Sequence, residues 1–137
     1  MSNTRILGLD IGDSRIGVAL SDPLGILASP LTILNRTDEK ADVEAVIDIV
    51  RQNQVGRIIT GLPLSMDSSL SKQAEKVKDF VAELSRHTDI PVEFRDERLS
   101  TVSAKRLMHE VRKTRKKIRY DAVAAALVLQ AYLDEAL

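Results

Sequence analysis

The chain has 137 residues, with 20 Lys plus Arg against 20 Asp plus Glu and 44% apolar residues, which predicts one globular domain with a core large enough to fold without staples. The absence of cysteine excludes disulfides, thiolate zinc sites, thiol nucleophiles and iron–sulfur ligation, and it fits a reducing, cytoplasmic setting. Two histidines, two Tyr, two Phe and no Trp argue against a multi-histidine metal centre and leave little for base stacking, so any metal must be held mainly by oxygen ligands.

In chain order, Arg5–Ile11 reads as a strand with Leu7, Leu9 and Ile11 on one side, and Ile16–Leu20 returns from the Gly12-Asp13-Ser14 turn as its hairpin partner. Asp22-Pro23-Leu24-Gly25 is a second turn, followed by a third strand over Ile26–Leu34. Thr37 and Asp38 offer a helix cap, after which Val43, Val46, Ile47 and Val50 recur at helical spacing. Arg57–Gly61 is a short buried strand and Leu62–Ser69 a loop; Ala74, Val77, Val81 and Leu84 mark an amphipathic helix, and Pro91–Arg95 is a further strand. Ser100 caps a helix with the stripe Ala104, Leu107, Met108 and Val111, and Asp121–Leu137 is apolar nearly all round its first turns, as a buried helix is. No apolar run approaches the roughly 18 residues of a membrane span, and Asp10 interrupts the first apolar stretch too early for a signal peptide. Together the elements predict an α/β fold, a mixed sheet with helices on its faces. In such sheets the working site lies beyond strand ends.

Asp10 and the Asp96-Glu97 pair fall at strand ends, and Asp121 opens the last helix. Each has a plain structural reading: Asp10 as a turn acid, Asp96-Glu97 as solvated loop residues paired with Arg95 or Arg98, and Asp121 as an acid favoured by the helix dipole. Strand alternation lets only one of Asp96 and Glu97 face a given site. Taken together, without cysteine and with little histidine, these acids describe an all-carboxylate site suited to Mg2+ or Mn2+. Such sites serve phosphodiester chemistry, in which two ions about 3.5–4 Å apart activate water and stabilise the leaving oxygen. His87 and His109 read as surface residues on helices, and neither is needed as a general base.

Zero net charge hides an uneven distribution. Lys105, Arg106, Arg112, Lys113, Arg115, Lys116, Lys117 and Arg119 face Glu110 alone, giving +7 across 15 residues and leaving the other 122 at −7. So one-sided a run predicts contact with a phosphate backbone, against the alternative of a solvated helix face. No helix-turn-helix, zinc-finger or stacking-aromatic signal points to base-specific readout.

Four blocks of the sequence carry a resemblance. They are Gly8-Leu9-Asp10-Ile11-Gly12 with Arg15-Ile16-Gly17-Val18-Ala19 and Ser21-Asp22; Gly61-Leu62-Pro63; Asp96-Glu97-Arg98-Leu99-Ser100-Thr101; and Asp121 with Ala124-Ala125 and Leu129. In this order, over almost the whole chain, they resemble the YqgF/RuvX family. The resemblance implies a ribonuclease H-like fold and a nuclease related to Holliday-junction resolvases that processes the 5′ end of pre-16S ribosomal RNA. It further implies that Asp10, the acidic pair with Glu97 preferred, and Asp121 are the metal-binding catalytic carboxylates. Three departures touch substrate loops and leave the carboxylates in place: Ser14 for the usual lysine, Asp67-Ser68-Ser69 for a usual glycine, and Ser100 for a common threonine.

Three rivals stand beside pre-ribosomal RNA cleavage. One is a resolvase of branched DNA, and one an inactive RNA-binding or transcription-associated module that kept the basic segment. The third is an actin-like or sugar-kinase ATPase, which needs two domains where 137 residues supply one. Resolvases act as dimers, and a homodimer stays open here, although no exposed apolar helix stripe argues for one.

Overall fold

The alternating apolar residues at the start of the chain fold as a meander: β1 (Arg5–Ile11) and β2 (Arg15–Ser21) form an antiparallel hairpin, and β3 (Ala28–Asn35) pairs antiparallel with β2. The computed structural model describes residues 4–63, 71–96 and 120–136, with the backbone alone for Asp121 and Tyr120. β4 (Val55–Leu62) and β5 (Val92–Asp96) lie on the other side of β1 and run parallel to it, so the strand order is β3-β2-β1-β4-β5.

Helices cover both faces. α1 (Glu39–Gln52) starts where the Asp38 carboxylate accepts the Ala41 N–H at 2.8 Å. α2 (Lys72–Ser85) starts where the Ser71 hydroxyl accepts the Ala74 N–H at 3.0 Å. Each cap satisfies a backbone donor that has no partner inside the helix. Val43, Val46, Ile47 and Val50 of α1 and Val77, Phe80, Val81 and Leu84 of α2 are buried against Leu7, Leu9, Ile11 and Ile58. The opposite face is covered by α3 (Tyr120–Ala136), whose Ala125, Ala126, Val128, Leu129 and Leu133 pack on Ala19, Ala28 and Ile59. Small residues on this helix let it lie close to the sheet. Among the described residues no helix is long and apolar enough to cross a membrane.

The predicted third strand begins two residues too early. The Asp22 carboxylate accepts the N–H groups of Ile26 (2.7 Å), Leu27 (2.8 Å) and Leu24 (3.3 Å), which curls the chain until Ala28 enters the ladder. Ile26 and Leu27 are consequently exposed, at 51% and 60%. The helix expected over Ala104–Val111 and the loop beyond Pro63 lie outside the described residues.

Candidate active site at the carboxyl edge of the parallel strands

Asp10 is the penultimate residue of β1, half-buried, and in register with Gly17 of β2. It is a strand residue rather than a turn acid; the turn position belongs to Asp13. On β1 the odd positions Leu7, Leu9 and Ile11 enter the α1/α2 core, while Ile6 packs with α3 and Gly8 lies under it. Alternation therefore sets Asp10 on the α3 face. Leu9 pairs with Thr60, and Gly61 follows at the level of Asp10. Both cross-strand neighbours of the carboxylate are thus glycines, and neither places a side chain beside it.

Gly8 explains how α3 reaches this edge. A Cβ on Gly8 would stand 2.8 Å from the Leu129 Cβ and 2.9 Å from the Ala125 carbonyl, so the helix lies directly on the strand backbone. The direction of α3 is fixed at its far end, where the Gln130 Oε1 accepts the Ala28 N–H at 2.8 Å and its Nε2 donates to the Ile26 carbonyl at 3.0 Å. Ala28 opposes Ser21, whose hydroxyl accepts the Ile6 N–H at 2.9 Å. Gln130 thus marks the Ile6 end of β1, and the start of the helix points toward the Asp10 end. Two residues of strand span about 6.7 Å, which matches four to five residues of helix at about 1.5 Å each. Counted back from the Ala125–Leu129 contact, the first turn of α3, which includes Asp121, lies toward the Asp10 end of β1.

Asp96 ends β5 on the other face. Val92 and Phe94 pack against the α1/α2 core, and alternation carries Asp96 with them. Arg95, on the α3 face, is committed elsewhere: it pairs with Glu135 at 2.8 Å and Glu93 at 3.7 Å, and lies 5.1 Å from the Tyr132 ring centroid. Glu97 and all eight cations from Lys105 to Arg119 lie outside the described residues. Among the described residues no group of three His, Asp or Glu side chains is placed to hold an ion. His87 follows the end of α2, exposed, with Nε2 at 3.3 Å from Glu83.

Gly8 was singled out in the sequence only as part of the Gly8-Leu9-Asp10-Ile11-Gly12 block; its close approach to α3 was not foreseen. Sequence reasoning missed Arg36 and Asp42, which hold the turn after Asp10. The signal there was an acid, Asp42, adjoining the buried stripe of α1, where it is only 4% exposed.

The RuvX family, described as Holliday junction resolvase, matches residues 4–135 of the chain. A protein of Dehalococcoides mccartyi named "Putative pre-16S rRNA nuclease" is 50% identical over 125 residues, 91% of this chain and 94% of that protein. One of the same name from Clostridioides difficile is 44% identical over 137 residues, 98% of this chain and 96% of that protein. In solved structures, RuvC of Thermus thermophilus in complex with a Holliday junction superposes with a TM-score of 0.64 at 15% identity, covering 97% of this chain and 95% of that one. The fold is that of the RuvC-like, ribonuclease H-fold resolvases.

Proposed function

Since the chain belongs to the RuvX family, we propose that it cleaves the 5′ end of pre-16S ribosomal RNA, using Mg2+ or Mn2+ held by Asp10, Glu97 and Asp121. The protein is a nuclease, a hydrolase of phosphodiester bonds that binds nucleic acid. The observation that carries the metal assignment is the setting of Asp10. Its carboxylate stands at the carboxyl edge of three parallel strands, between Gly17 and Gly61, on the face covered by α3, whose first turn includes Asp121.

Hard oxygen donors without Cys or His are what Mg2+ and Mn2+ select, so these residues fit such an ion. Bound there, a divalent ion supplies Lewis-acid polarisation of the phosphodiester and activation of water. The assignment of Asp96 to the α1/α2 face supports Glu97 as the partner of Asp10. The charge of the Lys105–Arg119 segment supports its role in drawing a phosphate backbone to this edge. The match over residues 4–135 supports one nuclease domain, and the lack of cysteine supports a cytoplasmic setting.

A second reading, cleavage of branched DNA, is favoured by the family description and by the fold shared with a junction-bound RuvC. The experiment is incubation of the purified protein with a 5′-extended ribosomal precursor RNA, linear DNA and a four-way junction, with manganese or with EDTA. Metal-dependent cutting of the RNA is expected. Preferential cutting of the junction selects the second reading, and tight binding without cleavage of any substrate refutes both.

A further inference from the structure

The turn that follows Asp10 is gripped from outside the sheet. Arg36, just after β3, donates from Nη1 to the Gly12 carbonyl at 3.0 Å, and its backbone N–H donates to the Ser14 carbonyl at 2.9 Å. Its Nε donates to Asp42 Oδ2 at 3.0 Å, and its guanidinium lies 5.1 Å from the Phe80 ring centroid. Asp42 is fixed in turn: its other oxygen accepts the Thr37 N–H at 3.0 Å and the Thr37 hydroxyl at 3.4 Å. From α2, the Gln73 amide donates to the Ile11 carbonyl at 3.1 Å. Lys76 and Asp13 also pair, at 3.3 Å, but both side chains are more than 60% exposed, and such pairs hold little.

We propose that Arg36, oriented by Asp42 and Phe80, is a positioning residue that sets the Asp10 carboxylate by fixing the Gly12 carbonyl; this rests on the reading of Asp10 as a metal-holding carboxylate. Two arguments separate positioning from simple stabilisation. Burying an Arg–Asp pair gains little over apolar side chains of the same volume, so stability alone does not call for one here. An apolar side chain also cannot set the direction of a carbonyl. The planar guanidinium fork can, because it bonds Asp42 and Gly12 at once in a fixed geometry that a lysine ammonium does not reproduce. Carboxylates that gather at one edge repel each other before a cation arrives, and useful site geometry must be held to about 0.5 Å. Gly12 is two residues from Asp10, at the point where an unheld hairpin end would yield to that repulsion.

The test compares Arg36→Lys with the wild-type protein. One readout is hydrogen exchange of the Gly12 amide in metal-free protein, and the other is manganese titration of RNA cleavage, resolved into kcat and KM. Arg36→Lys should exchange faster at Gly12 and raise the manganese concentration for half-activation by roughly 10–100-fold, as losses of groups that orient a metal ligand do, with KM for RNA unchanged. Should Arg36→Lys fail to fold, Gln73→Ala, which removes only the tie to Ile11, should shift both readouts the same way by less. A variant with lowered melting temperature but wild-type exchange at Gly12 and wild-type manganese dependence overturns the positioning role. A wild-type protein that cuts no substrate refutes the nuclease reading instead, and the exchange at Gly12 then decides the clamp by itself.

Discussion

Replacing Gly8 by Ala tests whether the approach of α3 to β1 sets the site. The new methyl would sit 2.8 Å from the Leu129 Cβ and 2.9 Å from the Ala125 carbonyl, and ordinary contact begins near 3.4 Å, so the helix must retreat by about 0.6 Å. Neither obstacle can swing aside, since one is backbone and the other is the first atom of a buried side chain. Overpacking of this kind costs about 1–3 kcal/mol, and removing a glycine from the unfolded chain returns about 0.4–1 kcal/mol. The net is a destabilisation of about 1–2 kcal/mol. With an unfolding entropy of about 2.1 cal/mol/K per residue over 137 residues, the melting temperature should fall by about 3–7 °C. Gly56 is the comparison: its added Cβ would meet Thr4, at 2.7 Å from its Cβ and 2.8 Å from its Oγ1. The Thr4 Cβ moves only with its backbone, but Thr4 is exposed and precedes β1, so the chain there can shift and Gly56→Ala should cost clearly less than Gly8→Ala. Scanning calorimetry of both variants, with manganese titration of RNA cleavage, measures the effect. Gly8→Ala should also need more manganese, because Asp121 retreats with the helix. A Gly8→Ala protein as stable as wild type, with unchanged metal dependence, refutes the reasoning.

The Asp22 carboxylate is held below the ordinary carboxylate range by the Leu27 N–H first, against a smaller opposing effect of burial, and then by the Ile26 and Leu24 N–H groups. Because the folded value is depressed, the stabilisation is present above the unfolded value and lost as pH falls through the folded one; an NMR carboxyl titration of Asp22 should show a midpoint below about 3.9, and one at or above it contradicts the cage. Glu97→Gln should abolish manganese-dependent cleavage, whereas Asp96→Asn should mainly lower stability or weaken substrate positioning; manganese titration of both variants exchanges the roles if the defects are reversed. Replacing Arg115, Lys116 and Lys117 by Ala should weaken binding to all RNA sequences and reduce the slope of log K against log salt by about two units, at roughly 0.7–0.9 per phosphate. The single-turnover rate at saturating RNA should change far less, and an unchanged salt slope marks the segment as a solvated surface.

What was legible in the sequence was whatever one element settles within itself. Leu7, Leu9 and Ile11 alternate, so β1 and the position of Asp10 near its end follow from period two. Val43, Val46, Ile47 and Val50 recur at helical spacing, and Asp38 caps α1 as its chemistry dictates. Ile26 and Leu27 have the apolar character of strand residues, but the Asp22 carboxylate accepts three backbone N–H groups there and curls the chain instead. The packing role of Gly8 and the Arg36–Asp42 pair were not legible, since they exist only once α3 lies on β1 and the end of β3 meets α1. The preference for Glu97 over Asp96 came from resemblance; the pleat of β5 places Asp96 on the α1/α2 face, and Glu97 lies outside the described residues.

The most direct measurement is manganese-dependent cleavage of a 5′-extended ribosomal precursor RNA by wild-type protein and by Asp10→Asn, with RNA affinity measured alongside. Wild-type protein should cut the RNA only when the metal is present. Asp10→Asn should bind RNA with nearly unchanged affinity and fail to cut it, and its metal-free melting temperature should rise slightly if Asp10, Glu97 and Asp121 form the proposed carboxylate cluster, because one repelling member is then gone. Cleavage by Asp10→Asn at the wild-type rate would contradict the assignment of Asp10 as a metal-holding catalytic carboxylate.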